Sequence, residues 1–187
     1  MGFGKTFSLS LVAFIGLNFI FSILYLALGP GFDELFNRFD PDSPDYAPLM
    51  MIYYLFGSII NAPYMNLNWV ITQPLFNDMT DYLILGIGFI VAPLIAAILA
   101  GKFAESKLQG FAGWLLTVII STTVVIVGLF LRSPTFEAEL TATYTPYLAI
   151  PPPISNEVIM ISLIISCVIN IVFYGFFALL VAKTEYY

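Results

Sequence analysis

Two sets of polar side chains could do chemistry inside the otherwise apolar parts of this chain. One set recurs every fourth residue in the first apolar run and the other in the last: Ser10, Asn18 and Ser22, then Ser162, Ser166, Asn170 and Tyr174. Residues four apart share one face of a helix. Asn18 and Asn170 fall near the middle of their runs, where an amide must find a hydrogen-bond partner, and another helix is the expected supplier. We therefore expect either contacts between helices or a polar substrate path at five positions: Asn18, Ser22, Ser166, Asn170 and Tyr174.

Catalysis and metal binding lack their usual residues. The chain has no histidine, which removes the commonest metal ligand and the commonest catalytic base. Its one cysteine, Cys167, excludes an internal disulfide and a zinc or iron–sulfur set of cysteines. Carboxylates such as Asp78, Asp81 and Glu157 could do acid–base work in pairs, but Asp78 and Asp81 more readily begin a helix, where acids favour the N-terminal dipole. We predict no enzyme, no catalytic residue, no metal and no cofactor.

An acidic, turn-rich segment is the one place whose composition suits a metal ion. Residues 40–45 read DPDSPD, and clustered carboxylates attract Ca²⁺. The glycine and the terminal glutamate of an EF-hand are absent at the required offsets. We therefore favour a solvated acidic loop over a calcium site. The net charge of −6 also disfavours a nucleic-acid partner.

Helices must position these side chains, because four apolar runs dominate the chain. Hydrophobic residues make up 60% of the sequence and charged residues 10%, whereas a soluble domain carries about 25% charged residues. The runs cover 7–28, 82–100, 111–131 and 158–182, and none contains a charged residue. Each is close to the ~20 residues that cross a ~30 Å hydrocarbon core as a helix. The sequence predicts an all-α integral membrane protein, a four-transmembrane-helix bundle in a single domain over 1–187.

The charged residues outside these runs predict how the chain is threaded. Four of the six basic residues fall on one side, Lys5, Lys102, Lys107 and Lys183. The other side receives ten of the twelve acidic residues, in segments 29–81 and 132–157. Loops rich in Lys and Arg favour the cytoplasmic side. We expect a protein of the cell membrane with both termini and the loop 101–110 in the cytoplasm, and with loops 29–81 and 132–157 outside.

The first outer loop is too long for a plain connector and contains a further apolar segment. Residues 49–60 read LMMIYYLFGSII, and a helix of that length covers only about 18 Å. We predict a short interfacial or re-entrant helix, which would act as a lid over a substrate or as a cap packed on the bundle. Residues 61–81 mix amides with aromatic rings, a composition typical of sugar-binding and protein-interface loops.

Small residues on the second run predict a close helix contact. Every fourth position is glycine or alanine, at Gly88, Ala92, Ala96 and Ala100, and such a ridge lets another helix approach closely. Pro93 within it should bend the helix. Trp114 and Tyr25 lie near the ends of their runs, where aromatic residues anchor membrane interfaces.

Two functional classes fit these features. The runs contain no ionisable group, so proton relays and voltage sensing lose their usual residues. We expect a non-catalytic integral membrane subunit that scaffolds or caps partner subunits, in contact with the lipid bilayer and with other membrane subunits. The alternative is a small transporter or channel component with a polar path lined by the first and last spans. Four spans rarely enclose a path alone, so this alternative calls for an oligomer.

Overall fold

A computed structural model describes residues 3–29, 31–32, 46–76, 82–130 and 156–183. Within these ranges the regular structure is entirely helical. The helices are α1 (Phe3–Leu28), α2 (Tyr46–Phe56), a 3₁₀ turn (Gly57–Ile59), α3 (Pro63–Phe76), α4 (Tyr82–Lys102), α5 (Lys107–Phe130) and α6 (Asn156–Val181). Four of them, α1, α4, α5 and α6, are long and apolar enough to cross a membrane. The all-α architecture with four candidate spans is therefore confirmed.

The link between α4 and α5 is shorter than the predicted loop 101–110, because both helices continue into it. Only residues 103–106 separate them. Ser106 caps α5, since its Oγ accepts a hydrogen bond from the Gln109 backbone N–H at 3.3 Å. The Gln109 side chain returns to accept one from the Glu105 N–H at 3.2 Å. This reciprocal arrangement resembles a capping box and fixes where α5 begins.

The four long helices run alternately up and down. At one end the Thr6 hydroxyl of α1 lies 3.5 Å from the Phe103 carbonyl oxygen after α4, and Gly101 of α4 sits against Ala178 of α6. We call this the lysine end, because it gathers Lys5, Lys102, Lys107 and Lys183. Helices α4 and α5 form the centre, with α1 packed on both of them and α6 packed on both as well. In the described part of the chain α1 and α6 are not packed against each other.

Helices α2 and α3 form a hairpin that enters the bundle from the end opposite the lysine end. Along α2 toward the 3₁₀ turn, Tyr54 meets Ser22 and then Phe56 meets Phe14, so α2 runs antiparallel to α1. On the way out, Asn66 contacts the carbonyl of Phe89 and Val70 packs on Gly86, so α3 runs antiparallel to α4. We call residues 46–76 the hairpin and residues 57–62 its tip.

The hairpin contains the predicted short helix and adds a second one that the sequence did not predict. Both helices pack against the long helices, so this segment enters the bundle and returns to the end from which it entered. The apolar segment 49–60 becomes α2 and the 3₁₀ turn, and α3 follows where we expected a loop of amides and aromatic rings. With 11 residues in α2 and 14 in α3, the two arms measure about 17 and 21 Å. The arms therefore reach roughly 60% and 70% of the ~30 Å needed for a full span.

An aromatic row joins the hairpin to the long helices. The ring of Phe56 lies 6.4 Å from Phe14, Phe14 lies 6.4 Å from Trp114, and Trp114 lies 5.8 Å from Tyr174, measured between centroids. Trp114 is 0% exposed. The expectation that Trp114 anchors an interface is wrong, because α5 begins earlier than predicted and carries this residue about two turns into the bundle. Tyr25 is also buried, at 7% exposure.

Candidate polar site at the hairpin tip

Asn170 of α6 holds the tip of the hairpin. Its Nδ2 donates to the backbone carbonyl oxygens of Asn61 at 3.0 Å and Ile59 at 3.3 Å. The same nitrogen lies 2.8 Å from the Ser166 carbonyl oxygen, one turn back in α6. The Asn170 side chain is completely buried. Because the chain is not helical after the 3₁₀ turn, these tip carbonyls have no partner in their own helix, and Asn170 supplies one.

Two further side chains hold the hairpin in the same way. Asn66 of α3 turns its Nδ2 toward the carbonyl oxygens of Ser58, at 3.3 Å, and Phe89, at 3.4 Å. Ser22 of α1 donates from its Oγ to the Tyr54 carbonyl oxygen at 3.1 Å. The hairpin is thus hydrogen-bonded within itself, by Asn66 to Ser58, and to three long helices, α1, α4 and α6. Its broken backbone is satisfied by side chains in a place with little access for water.

The orientation of these amides leaves oxygen atoms unpaired. A carbonyl oxygen only accepts hydrogen bonds, so the NH₂ of Asn66 and of Asn170 must face the backbone and each Oδ1 must point elsewhere. Five buried oxygen atoms around the tip have no hydrogen-bond partner within the described residues: Ser58 Oγ, Asn61 Oδ1, Asn66 Oδ1, Asn170 Oδ1 and Tyr174 Oη. We call these five residues the oxygen cluster. It can accept hydrogen bonds and carries no charge.

The break itself is encoded by a glycine and a proline. A Cβ on Gly57 would come within 2.8 Å of the Phe89 ring, so only glycine lets the tip approach α4 this closely. Pro63 opens α3, at the position where its missing N–H costs nothing. The Ala62 carbonyl oxygen then accepts from the N–H groups of Met65 and Asn66. The negative end of one half-helix and the positive end of another meet at the tip.

An apolar groove lies beside the oxygen cluster. It has a volume of about 230 Å³ and runs between α3, α4 and α6, lined by Pro63, Tyr64, Leu67, Ile90, Ile169, Phe173 and Tyr174. Tyr64, Leu67 and Phe173 are exposed at its mouth, at 67%, 52% and 48%. Tyr174 is only 1% exposed and is the member common to the groove and the cluster. The groove therefore opens on the outer surface of the bundle, not along its axis.

The structure divides the five polar positions proposed from the sequence. Asn170 and Tyr174 belong to the oxygen cluster, and Ser166 contributes its carbonyl oxygen to Asn170. Ser22 donates to Tyr54 of α2, between the tip and the end opposite the lysine end. Asn18 donates to Phe14 of its own helix at 2.9 Å, and its Oδ1 has no partner in the described ranges. The two stripes therefore reach the hairpin separately, the first through Ser22 and the second through Asn170.

Sequence reasoning missed Ser58, Asn61 and Asn66 as members of a buried site. A signal was present, since the whole of 46–76 contains no charged residue although it was assigned to an outer loop. Amides in an uncharged stretch, interrupted by Gly57 and Pro63, are typical of a helix break buried in protein.

The remaining candidates have other surroundings. The packing ridge Gly88, Ala92, Ala96 and Ala100 is buried, and Gly88 lies directly against Phe21 of α1. Cys167 is partly buried as a free thiol. Glu157 is exposed at the start of α6. Asp78, Asp81 and the acidic segment 40–45 lie outside the described residues. Within those residues no group of three or more His, Cys, Asp and Glu side chains could hold a metal ion.

Comparison with known proteins supplies no relative for this chain. No protein-family model, no curated protein and no solved structure matches it.

Proposed function

We propose that this chain is an integral membrane protein that works as a small transporter or channel component, with its polar site at the hairpin tip. Four helices long and apolar enough to cross a membrane support the bilayer environment. The tip contacts Asn170, which lies halfway along α6. In a bilayer the tip would therefore lie near the middle of the membrane. The lysine end faces the cytoplasm, because basic residues favour that side.

The observation that carries the proposal is a broken helix at mid-depth with unpaired oxygen atoms around it. Non-helical backbone at membrane depth is tolerated where protein buries it or where it lines a water-filled cavity. In transporters, interrupted helices of this kind form the substrate site near the bilayer midplane. Here Asn66 and Asn170 satisfy the broken backbone, and five oxygen atoms remain without a donor among the described residues. Each buried acceptor that stays unpaired lowers the stability of the fold by about 1–3 kcal/mol. Five such atoms around one tip therefore favour a site that binds a polar solute over a hairpin with a structural role alone.

The lining of the path follows from the same contacts. Helix α6 supplies Asn170 and Tyr174, and the hairpin supplies Ser58, Asn61 and Asn66. Helix α1 supports the hairpin through Ser22 and adds no member to the cluster. The proposed site is therefore formed by the hairpin and the last span, in place of the first and last spans. Several copies of the chain would provide the enclosure that four spans lack.

Access of water to the tip is the property to test. In a Cys167→Ser background, single cysteines at Ser58 and at Val172 are treated in reconstituted vesicles with iodoacetamide, a small neutral thiol reagent that reacts with the thiolate and therefore only where water reaches the sulfur. Ser58 is fully buried at the tip, whereas Val172 is 65% exposed on the outer face of α6. Because Ser58 is buried in this arrangement, we expect modification of Ser58→Cys during the openings that transport requires, and none of Val172→Cys, which faces lipid. Lys183→Cys, exposed at the lysine end, reports that the reagent is active.

The scaffolding subunit is the second candidate, and one observation favours it. Charged side chains of the described residues lie only at helix ends or in the short link, so none of the described Asp, Glu, Lys or Arg residues lies in the bundle interior. Such a bundle can hold partner subunits without chemistry of its own. Purification from mild detergent would then yield stoichiometric partner proteins. An unreactive Ser58→Cys together with such partners would establish scaffolding and reject transport. A reactive Ser58→Cys in a protein that purifies without partners would support transport and reject scaffolding.

A further inference from the structure

We infer that the oxygen cluster selects small neutral solutes that are rich in N–H or O–H donors, the class to which urea and glycerol belong. This inference rests on the proposed function, because it names the substrate class of the same site. It follows from which hydrogen-bonding groups at the tip are occupied and which are open.

The open groups are acceptors. The NH₂ groups of Asn66 and Asn170 are directed at backbone carbonyls of the tip and of neighbouring turns. What these two side chains can still offer is Oδ1, and Asn61 adds a third amide oxygen. The hydroxyls of Ser58 and Tyr174 can accept as well as donate. A solute that brings its own donors satisfies these groups, and a solute with acceptors alone does not.

Cations fit the cluster poorly although it consists of oxygen atoms. A desolvated ion in an apolar interior is very costly without a paired charge, and every side chain of the cluster is neutral. The nearest carbonyl oxygens, those of Ser58, Ile59 and Asn61, already face the partly positive NH₂ of an asparagine. Anions fit no better, because lone pairs of the cluster would face them. Neutral solutes avoid both penalties.

The surroundings limit the size of the solute. The cluster is sealed from solvent in this arrangement, and the space next to it is the groove of about 230 Å³. That volume equals on the order of seven water molecules, at about 30 Å³ of liquid volume each. Tyr174, which lines the groove, packs against Trp114 with the ring centroids 5.8 Å apart. A molecule of a few heavy atoms is therefore the right scale.

The test is solute flux into vesicles that contain the full chain. Entry of urea and of glycerol is followed by stopped-flow light scattering, and K⁺ entry by a potassium-sensitive dye. We expect permeability to urea or glycerol above that of empty vesicles, with K⁺ at the empty-vesicle level. Each single variant, Ser58→Ala or Tyr174→Phe, should lower the neutral flux by about three- to tenfold, as expected for one lost hydrogen bond, and the double variant should lower it further. The two single variants are measured as well, in case the double variant is unstable.

A matched control separates the loss of a hydroxyl in the oxygen cluster from the loss of a hydroxyl elsewhere in the protein. Thr123 is exposed on α5, and its Oγ1 donates to the Ile119 carbonyl oxygen of the same helix at 2.8 Å. Thr123→Val removes a hydroxyl far from the tip and should leave the flux unchanged. Protein-dependent K⁺ entry would overturn the selectivity for neutral solutes. Absence of both neutral fluxes with a reactive Ser58→Cys would overturn the substrate class alone, whereas an unreactive Ser58→Cys would overturn the proposed function itself.

Discussion

The side-chain amide of Asn170 donates to the backbone carbonyl oxygen of Asn61 at 3.0 Å, across 109 residues of sequence. This bond ties the last long helix to the point where the hairpin reverses. The same nitrogen also reaches Ile59, and the backbone carbonyl oxygen of Asn170 accepts from Trp114 Nε1 at 3.2 Å. One residue therefore connects α5, α6 and the hairpin.

Replacing Asn170 with leucine should destabilise the protein. Leucine has a similar volume but donates nothing, so the carbonyls of Ile59 and Asn61 lose their buried partner. We expect a loss of about 1–3 kcal/mol in the free energy of unfolding. The measurement is unfolding in a mixed detergent, followed by circular dichroism.

Asn18→Leu is the matched control for that loss. Asn18 is also buried near the middle of a long helix, but its Nδ2 donates only to Phe14 of the same helix. No other element depends on it, so we expect a cost below about 0.6 kcal/mol, the average found for hydrogen bonds between membrane helices. Equal losses for Asn18→Leu and Asn170→Leu would mean that Asn170 does not hold the tip.

Tyr174→Phe should leave stability unchanged or raise it by up to about 1 kcal/mol. Its hydroxyl is buried without a partner among the described residues, and removal of such a group relieves a desolvation cost. Trp114→Phe offers the contrast, because the indole N–H binds Asn170 and the ring is 0% exposed. We expect Trp114→Phe to cost about 2 kcal/mol or more. A clear loss for Tyr174→Phe in thermal unfolding would show that its hydroxyl has a structural partner.

The sequence predicted the long helices well, because a span is recognised by apolar length alone. It predicted the second arm of the hairpin poorly, because the role of that arm depends on the residues packed around it. A run such as 111–131 needs only apolar length, whatever surrounds it. The arms of the hairpin are too short for that criterion. The sequence predicts the first arm as a short helix, whereas the amides of the second arm suggest an exposed loop. The role of Asn66 as a buried hydrogen-bond donor follows only from the positions of Ser58 and Phe89 beside it. The partners of Asn18 and Asn170 differ for the same reason, since both stand mid-helix in the sequence but only one meets a broken backbone.

Gly101→Ala should disrupt the lysine end of the bundle. A Cβ at this position would collide with the carbonyl oxygen of Ala178 and press on the Val181 side chain. Backbone cannot rotate away as a side chain can, so α4 and α6 must separate, at about 1–3 kcal/mol. Gly16→Ala is the control, because nothing lies within 4 Å of its added Cβ. Comparison of thermal midpoints should show a loss for Gly101→Ala alone, and equal midpoints would contradict the close crossing of α4 and α6.

A disulfide between α1 and α5 should form at Ser10 and Thr117. Their hydroxyl oxygens lie 3.0 Å apart in the buried interface, and sulfur atoms in their places need only a small approach to the ~2.05 Å of a disulfide. In a Cys167→Ser background, mild oxidation of Ser10→Cys, Thr117→Cys should remove two hydrogen atoms from the intact mass. The pair Ser10→Cys, Thr123→Cys should stay reduced, because Thr123 is exposed on another face of α5. Oxidation of both pairs at similar rates would indicate that α1 and α5 are not held in this register.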